Sequence, residues 1–270
     1  MRAYLATFRA RFRTVMGYRA AALAGVFTQL FFGFILVHIL ESWYASGAGA
    51  PIGLAQTASY VWLGQAFLAF QVWGPDPELR DLIRSGEVAR DLLRPADLFG
   101  LWFARTLGWK AAGVALRFWV VLAFAALFLP ALGMPELALN APASPAGFAA
   151  FLAMMALATL TSAGLAVLVS CFQFSQVSAA GASAIAGAAS MFFSGLIVPL
   201  PLLSGPVERL SALLPFRGLA DLPFRFWLGT LPPRAVFSQA AYQAGWVLAL
   251  IVGGWLYTRS RLGRIAVAGG

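Results

Sequence analysis

"AAALAGVFTQLFFGFILVHIL", residues 20–40, decides the fold. These 21 residues contain no acid, lysine or arginine. At 1.5 Å per residue, a helix of this length crosses the roughly 30 Å of bilayer hydrocarbon. A cleaved leader is the competing reading, because "ASGAGA" (45–50) loosely imitates a small-residue processing site. The apolar run exceeds the roughly 7–15 residues of a leader core, and Pro51 directly after the small residues disfavours cleavage. The stretch therefore reads as a retained membrane helix.

The rest of the chain follows suit. Of 270 residues, 61% are hydrophobic and only 11% charged, with a mean hydropathy of +0.80. Soluble domains are about a quarter charged. Five further apolar stretches lie near Thr57–Trp73, Trp109–Leu129 (in a helix that can begin near Leu98), Gly147–Ser170, Ser178–Val198 and Val236–Tyr257. Backbone in lipid must satisfy its own hydrogen bonds, so each is expected to be helical. The expected fold is an all-α polytopic membrane protein with six transmembrane helices, forming one domain over residues 1–270.

Charge sets the orientation. The net charge is +9, but no basic-aromatic domain exists to bind nucleic acid. With the N-terminus inside, fourteen Lys and Arg fall on the cytoplasmic side and four (Arg209, Arg217, Arg225, Arg234) outside, with Arg117 within a span. The positive-inside rule then places both termini in the cytoplasm. Residues 1–19 carry Tyr4, Phe8, Phe12, Val15 and Met16 at helical spacing, opposed by Arg2, Arg9 and Arg13. That pattern suits an interfacial amphipathic helix, or a basic flank that orients the first span. Residues 199–234 are too proline-broken to span and too apolar to float. A re-entrant outer hairpin, broken at Pro201, Pro206, Pro215 and Pro223, or an ordinary interfacial loop, fits them.

One stretch breaks the apolar pattern. Pro75–Asp97 holds six acids and four arginines. Asp76 can cap a helix, Pro77 suits its first position and Glu78 its positive end. Leu79, Leu82 and Ile83 share one face, opposite Arg80, Asp81 and Arg84, and Ser85-Gly86 stops the helix. A second short helix carries Val88, Leu92 and Leu93, with Glu87, Arg90, Asp91 and Arg94 elsewhere; Pro95 ends it, and Asp97 caps the next. Acids beside an anionic leaflet are unfavourable, so a protein partner is a better receiver than lipid. A solvated loop held by pairs such as Asp76/Arg80 and Asp91/Arg94 is the alternative.

These features together resemble the permease subunits of type-2 ATP-binding-cassette (ABC) transporters. The resemblance rests on the six-span plan, the basic N-terminus, "IRSGEVARDLLRPAD" (83–97) and "SGLIVPLPLLSGPVERLSALLPF" (194–216). The spacing of Ile83, Gly86, Leu92, Leu93, Arg94 and Pro95 is similar to a branch of small bacterial exporters. The resemblance implies an N-terminal elbow helix and a coupling helix within 75–97. Its contacts would be Asp76, Glu78, Leu79, Arg80, Leu82, Ile83, Arg84, Gly86, Glu87, Arg90 and Arg94. It also implies a dimeric ATPase partner carrying ATP and Mg, a second permease identical or paralogous to this one, and the bacterial inner membrane.

The residues support an external energy source. No GxxxxGK[ST] phosphate loop is present, and the single lysine, Lys110, precedes an apolar run. The chain is thus expected to be no enzyme itself, with no bound cofactor. Cys171 and His38 are each alone, so no metal site is expected. Candidate path residues are Gln65, Arg117, Ser190 and Ser194. Arg117 either faces a cavity or snorkels to head groups with Lys110 and Arg105. Ser190 and Ser194 belong to a small-residue stripe with Ser178, Ala182 and Ala186. The function expected is export of a small or amphiphilic substrate: a drug, a hydrophobic cation or a lipid-like molecule. Alternatives are a permease for a lipid-linked glycan, a self-sufficient secondary transporter and a membrane enzyme acting on lipids. No acid lies deep in a span, which weighs against the secondary transporter, and the scattered carboxylates offer an enzyme little.

Overall fold

The computed structural model describes residues 1–47, 49–172, 179–203 and 205–265. Among these, all regular structure is helical. The helices are α1 (Arg2–Met16), α2 (Arg19–Ala45), α3 (Leu54–Ala66), α4 (Pro77–Arg84), α5 (Val88–Leu92), α6 (Leu98–Ala115) and α7 (Phe118–Ala123). They continue as α8 (Leu129–Ala131), α9 (Pro145–Cys171), α10 (Ala179–Phe193), α11 (Pro206–Leu213), α12 (Asp221–Leu228) and α13 (Val236–Ile265).

α2 shows why this is a membrane protein. Its outward face carries Leu23, Phe27, Phe31 and Ile39, all exposed. Its inward face carries Ala22, Val26, Gln29, Gly33 and Val37. The outside is greasier than the inside, which is stable only against lipid. By length and composition, four helical stretches can cross a bilayer: Arg19–Ala45, Leu98–Ala131, Pro145–Cys171 and Pro233–Arg261.

The second and fifth expected spans are shorter than the sequence suggests. α3 has 13 residues, about 20 Å of helix, and stops at Ala66 instead of running to Trp73. A 3₁₀ turn (Leu68–Phe70) and extended backbone at Gln71 follow. Side chains from other helices hold this stretch open. Lys110 Nζ donates to the carbonyls of Ala69 (3.0 Å) and Gln71 (2.6 Å). Ser162 Oγ donates to the Phe70 carbonyl at 2.6 Å, and the Val72 N–H donates to Ser190 Oγ at 3.1 Å. Non-helical backbone at membrane depth persists only when paired in this way. α10 has 15 described residues and turns at Gly195, whose φ of +86° lies in the left-handed region. Ser178 and most of the short "CFQFSQV" connection (171–177) lie outside the described residues.

The third stretch is longer than a bilayer needs. It starts at Leu98, where Asp97 Oδ2 accepts from the Gly100 N–H at 2.7 Å. Its 34 residues to Ala131 would extend about 51 Å along the axis. The helix breaks at Leu116–Arg117, resumes as α7 and passes a π turn at Phe124–Phe128. α1 lies against α6 almost backbone to backbone, because a Cβ at Gly108 would meet the Phe8 carbonyl at 2.6 Å.

Packing forms two main centres. The larger joins α3, α9 and α12 through Tyr60, Trp62, Phe151, Met154, Leu222, Phe224 and Phe226. The other gathers Leu79, Val88, Leu98, Phe99, Leu101, Trp102, Val167 and Cys171 beneath the charged stretch. At the far end Pro206 opens α11 and Pro215 opens a 3₁₀ turn, as proline should. Pro223 does not break its helix: it sits in the first turn of α12, where its missing N–H costs nothing.

Candidate functional site

The charged stretch folds around local signals. Asp76 Oδ1 accepts from the Glu78 N–H at 3.0 Å, with Pro77 at the first helical position of α4. Ser85 ends α4, and Gly86 takes φ +75° to reverse the chain into α5. Leu79 is fully buried and Val88 nearly so, which anchors both short helices to α6 and α9.

This placement divides the expected contact set. Leu79 and Asp76 are 0% exposed and hold the segment to its own chain. An amphipathic helix buries its apolar face, and here the covering surface is internal. Leu82 and Ile83 are half-buried against the same cluster. Glu78, Arg80, Asp81, Gly86, Glu87 and Arg94 are exposed. The side chains of Arg84 and Arg90 lie outside the described residues. The exposed apolar group here is a different one: Leu92 and, above all, Leu93, which is 86% exposed beside Arg94 and Pro95.

Ion pairs tie α1, α4 and α6 together. Arg11 Nη2 donates to Asp76 Oδ1 at 2.7 Å, and its other terminal nitrogen pairs with Glu78. Arg105 reaches Glu78 at 3.1 Å. Tyr4, at the start of α1, accepts from the Asp97 N–H at 3.1 Å, and Trp255 Nε1 donates to Asp97 Oδ1 at 3.0 Å. Burial pushes the Asp76 carboxyl above the usual carboxylate range, against the opposing pull of Arg11. The sequence offered no signal for Arg11 or Arg105 as members of this network, because partners 27 and 65 residues apart leave no pattern.

Above this network lies a cavity of about 1320 Å³, walled by α1, the start of α2, the Leu68–Ala69 turn, α4 and α6. Arg117 faces it, as do Arg11, Arg94, Arg105 and Lys110. Lys110, by contrast, is 3% exposed and engaged on carbonyls. The other expected path residues lie apart from this space. Gln65 is 5% exposed and sits against α2 at Gly33. Ser190 and Ser194 are fully buried; Ser190 meets the Val72 N–H, and Ser194 Oγ donates to Gln71 Oε1 at 3.4 Å. The two serines fasten α10 to the unwound end of α3.

A family model described as "ABC-2 family transporter protein" matches residues 59–256. No curated protein and no solved structure matches the chain.

Proposed function

The chain belongs to the ABC-2 transporter family, and on that premise we propose that it is the membrane subunit of an ATP-driven exporter, gripped by its ATPase at residues 75–97. The observation that carries this reading is the build of that segment. Leu79 and Val88 root it in the chain's own core, while Leu93, Arg80, Asp81, Glu87 and Arg94 face outward. A rooted, two-signed surface with an exposed leucine suits a protein cleft better than an anionic leaflet.

In this reading α2, 54–73, 98–131, α9, α10 and α13 make six crossings, with both termini in the cytoplasm. α1 lies at the inner interface as the elbow, and 199–234 folds back at the outer face. The partner ATPase holds ATP and Mg. A second permease, identical or paralogous, completes the path in the bacterial inner membrane. Closure of the ATPase dimer moves 75–97, and the Arg11, Asp76, Glu78 and Arg105 network passes that motion to α1 and α6. The cargo is small or amphiphilic.

Leu93→Asp tests the grip. Leu93 is exposed, so the change leaves folding intact, whereas an acid at Leu79 would wreck the core. Pull-down from native membranes should recover at least tenfold less ATPase with Leu93→Asp. Undiminished recovery removes 75–97 as the docking surface.

A further inference from the structure

We propose that the cavity between α1, α2 and α6 binds the anionic headgroup of an amphiphile, with Arg117 as its counter-charge. The proposal narrows the cargo class of the reading above, and it requires a membrane-embedded chain but no ATPase. Of the five cations that line the cavity, Arg11 and Arg105 are paired to Asp76 and Glu78, and Arg94 to Asp91. Lys110 is spent on two carbonyls. The Arg117 side chain has no ion pair or hydrogen bond among the described residues, and its buried Nε lacks any partner. A half-buried guanidinium without a counter-ion is costly and is relieved by an anion placed against it.

The position of the group selects an amphiphile. Arg117 lies seven residues beyond Lys110, roughly 10 Å along the helix path. Its guanidinium rests on α2 at Gly25, where a Cβ would come within 3.0 Å of Cζ. Only a glycine lets the charge lie this close to the helix. The lining includes the apolar Ala21, Ala22, Leu68 and Leu116 with exposed Tyr18 and Trp73, and it also carries Glu78, Asp81 and Glu87 from the charged stretch. Aromatic side chains of this kind favour the membrane interface. A hydrated free anion gains little from such walls, and a hydrophobic cation is repelled by the charge. A chain bearing a phosphate or carboxylate gains from both.

The test uses the full-length chain in phosphatidylcholine nanodiscs, titrated with a fluorescent phosphatidylglycerol and read by energy transfer. Wild type should prefer this lipid at least tenfold over an equally labelled phosphatidylcholine. Arg117→Gln should lose that preference, Arg117→Lys should retain part of it, and Arg209→Gln, an exposed change at the far end, should leave it intact. Gly25→Leu keeps the charge but crowds the guanidinium from the other wall, and should weaken binding severalfold, which guards against misfolding of the Arg117 variant. Millimolar inorganic phosphate should not compete. Preference unchanged in Arg117→Gln and Gly25→Leu overturns the site, and displacement by phosphate alone overturns the amphiphile. Either result with ATPase association intact defeats this inference and leaves the docking reading standing.

Discussion

Two buried aspartates divide the molecule. At the far end Asp221 is fully buried and receives Arg217 Nε at 2.7 Å and Arg225 Nε at 2.9 Å, four residues to either side. Tyr60 adds its hydroxyl at 3.4 Å. Both arginines come from the same short stretch of chain, Arg217 from the Pro215–Leu219 turn and Arg225 from α12, so the triad needs only these two adjoining elements. At the charged end Asp76 is equally buried, but its partner Arg11 comes from α1, and Arg105 of α6 joins through Glu78. The first is a local lock whose parts move together. The second is a clasp across three helices, and its strength depends on how those helices sit. An end that must hold still can use the former, whereas an end that must register a partner's motion needs the latter.

The largest effect expected is at the lock. Asp221→Ala strands two arginines in a buried setting and should destabilise the protein by about 3–5 kcal/mol, seen as an early thermal transition of the purified protein in detergent. Asp76→Ala loses a cap and one buried pair, but the single arginine it strands keeps Glu78, so the loss should fall well below that, at about 1–3 kcal/mol. Equal losses would erase the distinction between lock and clasp.

Coupling sharpens the contrast next. Double-mutant cycles of Arg11→Ala with Glu78→Gln, and of Arg105→Ala with Glu78→Gln, should each give about 0.5–1 kcal/mol, the low end of the range for contacting residues. Glu78 is 45% exposed, and water screens it. A coupling that shifts when the ATPase is bound marks the clasp as the element that senses the partner. One that stays constant with and without the ATPase reduces it to a structural staple.

How much of this could be read from the chain follows from range. The apolar helices were legible because lipid demands long runs without charge, and α2 and α9 occupy nearly the stretches expected. The starts at Asp76-Pro77 and Asp97 were legible because capping is local. The end of α3 was not. Phe67–Trp73 is as apolar as the helix before it, and what stops the helix is Lys110, Ser162 and Ser190 reaching in from elsewhere. Periodicity also found the apolar face of α4 but could not say whether a partner or the chain itself covers it, and Leu79 proved internal. Arg117 stood out as a charge at depth, but only the broken helix and Gly25 show where its guanidinium rests.

The smallest effect is the subtlest probe of the clasp. Burial raises the Asp76 pKa in the folded chain above its unfolded value, with Arg11 only partly offsetting the shift. The folded state therefore holds the proton more tightly than the unfolded one between those two pKa values. Stability from this group falls as pH rises through the folded pKa and returns as pH falls toward the unfolded one. Asp76→Asn keeps the capping oxygen and removes the titration. The melting temperature of wild type relative to Asp76→Asn should then rise as pH is lowered from 7 toward 4, by a few degrees at most. The opposite slope would mean that Arg11 outweighs burial and holds the carboxylate as a true ion pair. In that case the clasp would be as self-sufficient as the lock, and α1 could not separate from α4 without leaving a buried carboxylate unpaired.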